Sequence, residues 1–177
     1  KFEARHNGLT FPSYRLETGT KDKPYFAEGS GKVAFGASPR FDFRADGAQV
    51  TFDDEDAKGG AAADFSERLG AVEAFLKNVP VPSMPGEIRL ALPAIVAGDT
   101  TIRDVALTAS PDGGAWDIKS FSAALPGRTK LEASGRLGLG AEFGFSGNML
   151  LASNQPTGLA VWLTGRADTS VRQLAAF

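Results

Sequence analysis

Cysteine is absent from this chain. Disulfides and thiolate metal sites are therefore excluded, and composition leaves the redox compartment open. Histidine is nearly absent too: His6 is the single one, so a Ser-His-Asp relay or a multi-histidine metal site would hang on that residue alone. Basic charge is not in excess. A net charge of -2 and a pI near 5.5 leave no electrostatic footprint for nucleic acid. Long apolar runs are missing as well. The best, Leu90 to Ala97, contains Pro93 and falls far short of the roughly 18 residues a membrane span requires. No Asn-x-Ser/Thr acceptor occurs. Tyr and Trp number two each against thirteen Phe. Phe brings apolar area without a polar tip to satisfy, so this choice suits a surface that stays dry.

What is present is alternation. From Trp116 to Ala152 apolar residues fall on every second position over long runs, the period of a half-buried strand. Between Leu131 and Leu139 the odd positions are Leu, Ala, Gly, Leu and Leu, and the even ones include Lys130, Glu132, Ser134 and Arg136 on or beside that run. Pro126-Gly127 suits the centre of a type II turn, Pro fixing one φ and Gly supplying the positive one. A weaker copy lies upstream. Gly31-Lys-Val33-Ala-Phe35-Gly36 aligns with Gly135-Arg-Leu137-Gly-Leu139-Gly140, and Phe41-Asp-Phe43 with Phe143-Gly-Phe145 once two residues are dropped. Repeated β units that each present an apolar face stack into one continuous surface.

The rest of the chain reads as further strands. Leu9 to Leu16 is one, with Pro12 pushing it toward an edge or a bulge. Tyr25–Phe35 and Phe41–Phe52 give two or three more, and Asp46-Gly47 carries a hairpin signal. Residues 61–77 break the pattern: Phe65, Leu69, Val72 and Leu76 recur at helical spacing, with Asp64–Arg68 and Glu73–Lys77 pairs outside. Pro80, Pro82 and Pro85 end that helix, which either packs across one end of the sheet or caps an apolar opening. Ile88, Leu90 and Leu92 resume alternation. Val105, Leu107 and Ala109 follow Ile102 after a break, and Asp112-Gly113-Gly114 forms a turn. Asn154 to Gly158 turns the chain before Leu159-Ala-Val161-Trp162-Leu163, and Asp168 to Phe177 reads as the opening of a helix.

Catalytic motifs fail one by one. Gly29-Ser-Gly31-Lys32 resembles the tail of a phosphate loop, but Phe26 stands at the first Gly position and Val33 where magnesium would need a hydroxyl. The glycines from 135 to 140 carry a dinucleotide fingerprint in reverse, inside a strand with no helix following. The acidic run 53–56 lacks the alternate ligands and central Gly of a calcium loop and reads as a solvated loop. No enzymatic activity, metal or cofactor is expected.

Two stretches resemble the AsmA family of Gram-negative bacteria: Trp116 to Leu137, with its Leu125-Pro126-Gly127 turn, and Phe143 to Ser153 followed by Gln155-Pro156-Thr-Gly158-Leu-Ala-Val-Trp162-Leu163. The family pattern runs strand, "LPG" turn, "Leu-x-Ala-x-Gly-x-Leu" strand, "Phe-x-Gly" strand, then a closing "Trp-Leu" helix or strand. The resemblance spans residues 87–177 well and 1–60 loosely; the helix at 61–77 stands outside it. It implies a periplasmic segment of a protein anchored in the inner membrane, of the bridge-like lipid-transfer class, serving phospholipid transport and outer-membrane biogenesis.

The expectations are these. The fold is mainly β: one curved antiparallel up-and-down sheet, groove-like or taco-like or else closed as a sandwich, with the helix near 61–77 and a C-terminal helix start. Residues 1–177 form one domain, an excised segment of a longer chain, built of two related units at about 9–53 and 86–165. The groove floor is Val33, Phe35, Phe41, Phe43, Leu131, Leu137, Leu139, Phe143 and Phe145, which take phospholipid acyl chains. The alternative is a β-sandwich interaction module that docks on envelope proteins and carries no lipid.

Overall fold

The computed structural model describes residues 2–20, 23–48, 50–52, 79–97, 100–139 and 143–164. The helix expected at 61–77, the acidic run 53–56 and the helix start at 168–177 lie outside the described residues. The described chain gives ten strands and one helix: β1 (Glu3–Arg5), β2 (Gly8–Thr20), β3 (Lys23–Ala34), β4 (Arg40–Gly47), β5 (Val50–Phe52), β6 (Gly86–Ala97), β7 (Thr100–Asp112), β8 (Ala115–Leu125), β9 (Thr129–Gly138), β10 (Gly144–Ser153) and α1 (Pro156–Thr164). All ten strands join one curved open sheet in the order β1-β2-β3-β4-β6-β7-β8-β9-β10, with β5 also against β6. A sandwich needs a second sheet, and none exists among the described residues.

The sheet is antiparallel except at its centre. β4 pairs β6 in parallel, Phe41 opposite Gly86 and Phe43 opposite Ile88, and β5 continues that edge with Val50 opposite Ile95. A wholly up-and-down order is thereby corrected: parallel neighbours need a long return connection, and the residues between Phe52 and Gly86 supply it. Asp46-Gly47 is likewise no hairpin. Both residues stay in β4, opposite Glu28 and Ala27, and Gly47 lacks the positive φ a primed turn requires.

The other turns follow their glycines. Gly113 and Gly114 take φ of 55° and 81° in the two-residue β7–β8 hairpin. Gly127 takes φ of 76° after Pro126, and Arg128 is drawn into the same region at 49°. Residues 154–163 turn the chain as expected and then become helix, with Pro156 at the first helical position, where its missing N–H costs nothing.

The two units match in register more closely than the sequence alignment allows. Val33 lies opposite Phe41 and Leu137 opposite Phe145. Both units break register at the same point: Pro12 and Ser13 bulge opposite Ser30, and Lys119 and Ser120 bulge opposite Ser134. Laid over each other without a gap, Ala27–Ala37 matches Leu131–Ala141 at Glu, Ser, two of the three Gly and the final Ala, and Phe41 falls on Phe145. Phe43 then corresponds to Gly147, and Phe143 to Pro39. Three strands are repeated, β2-β3-β4 as β8-β9-β10.

Candidate functional site

Residues opposite one another in a ladder share a face, so the registers trace one surface across the sheet. It runs from Leu9 and Phe11 in β2 through Gly31 and Val33, Phe41 and Phe43, then Ile88, Leu90 and Leu92. It continues through Val105, Leu107 and Ala109, then Trp116, Ile118, Phe121 and Ala123, and on to Leu131, Ala133 and Leu137. It ends on Phe145, Met149 and Leu151 of β10. The eight strands from β2 to β10 that carry it, spaced about 4.8 Å apart, make this face roughly 34 Å wide along the sheet.

Two clusters divide it along the strand axis. Leu92, Val105 and Ala123 form one, flanked by Leu90, Ile95, Ile102, Phe121 and Leu125. Ala109, Trp116 and Ile118 form the other, with Leu137, Leu139 and Ile88 beside them and Val79 and Val81 packed on from the segment before β6. The indole Nε1 of Trp116 is buried and has no hydrogen-bond partner among the described residues. Toward β10 the cover ends. Phe145 is 39% exposed, and Met149 and Leu151 expose 63% and 48%.

The opposite face is charged. Arg89 pairs with Asp42 and Glu87, Arg15 with Glu28, Lys119 with Asp117, Lys130 with Glu132 and Arg136 with Asp112. Exposed pairs of this kind contribute little stability, about 0–1 kcal/mol each, but they keep that face wet. Hydrogen bonding and attraction to Asp117 raise the Lys119 pKa, and those to Asp46 raise that of Arg44. Beside the β8–β9 turn a depression of about 360 Å³ has a mainly apolar lining that includes Ala123, Ala124 and Leu125, with Asp104, Arg128 and Lys130 also on its walls.

The expected floor residues divide under this geometry. Val33, Phe41, Phe43, Leu131, Leu137 and Phe145 all lie in strands on the apolar face. Phe35, Leu139 and Phe143 lie just beyond strand ends, Phe35 being exposed and its N–H donating to the Asn7 carbonyl at 2.8 Å. Phe41 is no open floor: it is 4% exposed, its ring against Gly86 and 6.0 Å from that of Phe43. The expected floor leaves out the middle of the face, β6 to β8, although Ile88, Leu90, Leu92 and Trp116 carry the same alternation. The repeat marks the two ends of the face and not the strands that join them.

No protein-family model matches the chain, and no curated protein or solved structure matches it either.

Proposed function

We propose that this chain is an AsmA-like periplasmic segment whose apolar face holds phospholipid acyl chains in lipid transport and outer-membrane biogenesis, its parent protein being anchored in the inner membrane. The observation that carries the reading is the apolar surface that runs across eight strands, backed by a charged face and by no second sheet among the described residues. Soluble proteins rarely leave contiguous apolar patches beyond a few hundred Å² uncovered, so such a face has a partner. An acyl chain needs no polar chemistry there, since each buried methylene contributes about 0.8 kcal/mol. No catalytic role is proposed.

The test is native mass spectrometry of the purified chain. Phospholipid retained on the intact chain is the expected result. A chain that remains lipid-free after isolation from phospholipid-rich extracts, and stays so when offered vesicles, would give the decision to an interaction module.

A further inference from the structure

The outer edge of β10 is bare among the described residues, and the repeat states what belongs there. β4 and β10 are equivalent strands, each following its hairpin partner with an aliphatic residue set against Phe41 or Phe145. On its far side β4 is covered by β6, which runs parallel to it and enters on Gly86. Among the described residues nothing equivalent covers β10, and Met149, Leu150 and Leu151 there expose 63%, 58% and 48%. The opposite rim is managed differently. There β1, three residues long and charged at Glu3 and Arg5, covers the start of β2. Short, charged edges discourage pairing, whereas a long uncharged one invites it.

We infer that β10 is a strand-addition site, taking one extended segment of a partner polypeptide in parallel, as β4 takes β6. This does not rest on the lipid reading; it rests on the repeat. The β4–β6 pair defines the segment's chemistry. Gly86 faces Phe41 because a Cβ there would overlap the ring, so the segment needs Gly opposite Phe145. Ile88 and Leu90 follow at alternate positions on the apolar face, and polar residues lie between them. The β10 positions at the level of Asp42, Arg44 and Asp46 are Ser146, Asn148 and Leu150, so no ion pair like Arg89–Asp42 fixes the partner's charge. Backbone pairing would give affinity, and the side-chain pattern the register.

The absence of cysteine makes the test direct. Asn148→Cys in the full chain gives a single thiol at the place equivalent to Arg44, whose partner across the β4–β6 pair is Arg89. A synthetic peptide carrying the 86–92 sequence is offered in excess, with its one cysteine at the third, fourth or fifth position. Disulfide formation should favour the fourth position by about fivefold or more, because a one-residue slip turns every side chain to the other face. An Ala4→Cys chain should show no such preference, and the peptide should slow amide exchange of residues 144–153 in the unsubstituted chain. Equal rates at all three positions, or no protection of β10, would overturn the inference. So would Asn148→Cys chains that join to each other in preference to the peptide, which would make the occupant a second copy.

Discussion

Phe41 and Gly86 occupy one space: the phenyl ring lies where a side chain on residue 86 would begin. The contact sits at the first rung of the parallel pair, where the Phe41 N–H also donates to the Pro85 carbonyl at 3.0 Å. Gly86→Ala should therefore destabilise by about 1–3 kcal/mol, the usual cost of overpacking. Adding Phe41→Leu to Gly86→Ala should return part of that loss in denaturant unfolding. Strictly additive losses would show that the two positions do not share the space.

The two equivalent Phe residues should respond oppositely. Phe41→Ser should cost on the order of 3–5 kcal/mol, as truncation of a buried Phe does. Phe145→Ser should cost about 1 kcal/mol or less, since that ring is already partly in water, yet lower the amount of retained phospholipid. Equal stability losses, with lipid unchanged in both, would count against the acyl-chain reading.

At the β8–β9 turn a short hydroxyl chain ties three elements. Thr129, 2% exposed, donates from Oγ1 to Ser153 Oγ at 2.8 Å, and Ser153 donates on to the Gly127 carbonyl at 3.1 Å. Thr129→Val keeps the shape and removes the donor, so a loss of about 0.5–1.5 kcal/mol is expected from the hydrogen bond to Ser153, whose own bond to the Gly127 carbonyl remains. Ser153→Ala should then cost less in that background than in the wild type, because only its bond to the Gly127 carbonyl is left to lose. A double-mutant cycle measures this, and independent losses would refute the chain.

Tyr14 donates its hydroxyl to the Arg44 carbonyl at 2.9 Å, and burial, then the charge of Asp46, push its pKa above the ordinary tyrosine value. The native state thus favours the protonated phenol. Its stabilising contribution is complete below the ordinary value near 10 and is lost as pH rises through the raised one. In a Tyr25→Phe background, ultraviolet titration should find Tyr14 ionising above the range of free tyrosine. Tyr14→Phe should flatten the alkaline limb of the stability profile. A normal or depressed titration would be the contrary result.

Much of the sheet can be read from side-chain order alone. Ile88-Leu90-Leu92 and Val105-Leu107-Ala109 declare their apolar face by alternation. The break before Val105 is a real irregularity in the ladder, with Asp104 at φ of 51°. Pro12 sits in the bulge where its missing N–H is harmless. Pairing partners are another matter. Alternation names a face but no neighbour, so nothing in Phe41–Gly47 announces that β6 will lie beside it in parallel. Asp46-Gly47 misleads because turn chemistry is a local preference, and two flanking strands override it here. The helix at 156–164 opens with Pro and Gly, which in short runs also mark turns. Residue type aligns the two Phe-x-Phe pairs, whereas hydrogen-bond register makes Phe41 the equivalent of Phe145.

The parallel seam between β4 and β6 also orders the sheet in time. From β6 to β10 every strand pairs with its sequence neighbour, and so does every strand from β1 to β4. Across the seam, by contrast, Arg89 reaches Asp42 over 47 residues. Contacts between distant residues close late, because the loop entropy is lost before the pairing compensates it. Each half can zip along its own hairpins first, and pulsed amide exchange should then protect β8 and β9 ahead of those β4 amides that face β6. Until the seam closes, the chain is two small sheets with facing raw edges, and the Pro-rich approach at 79–85 delivers one edge to the other.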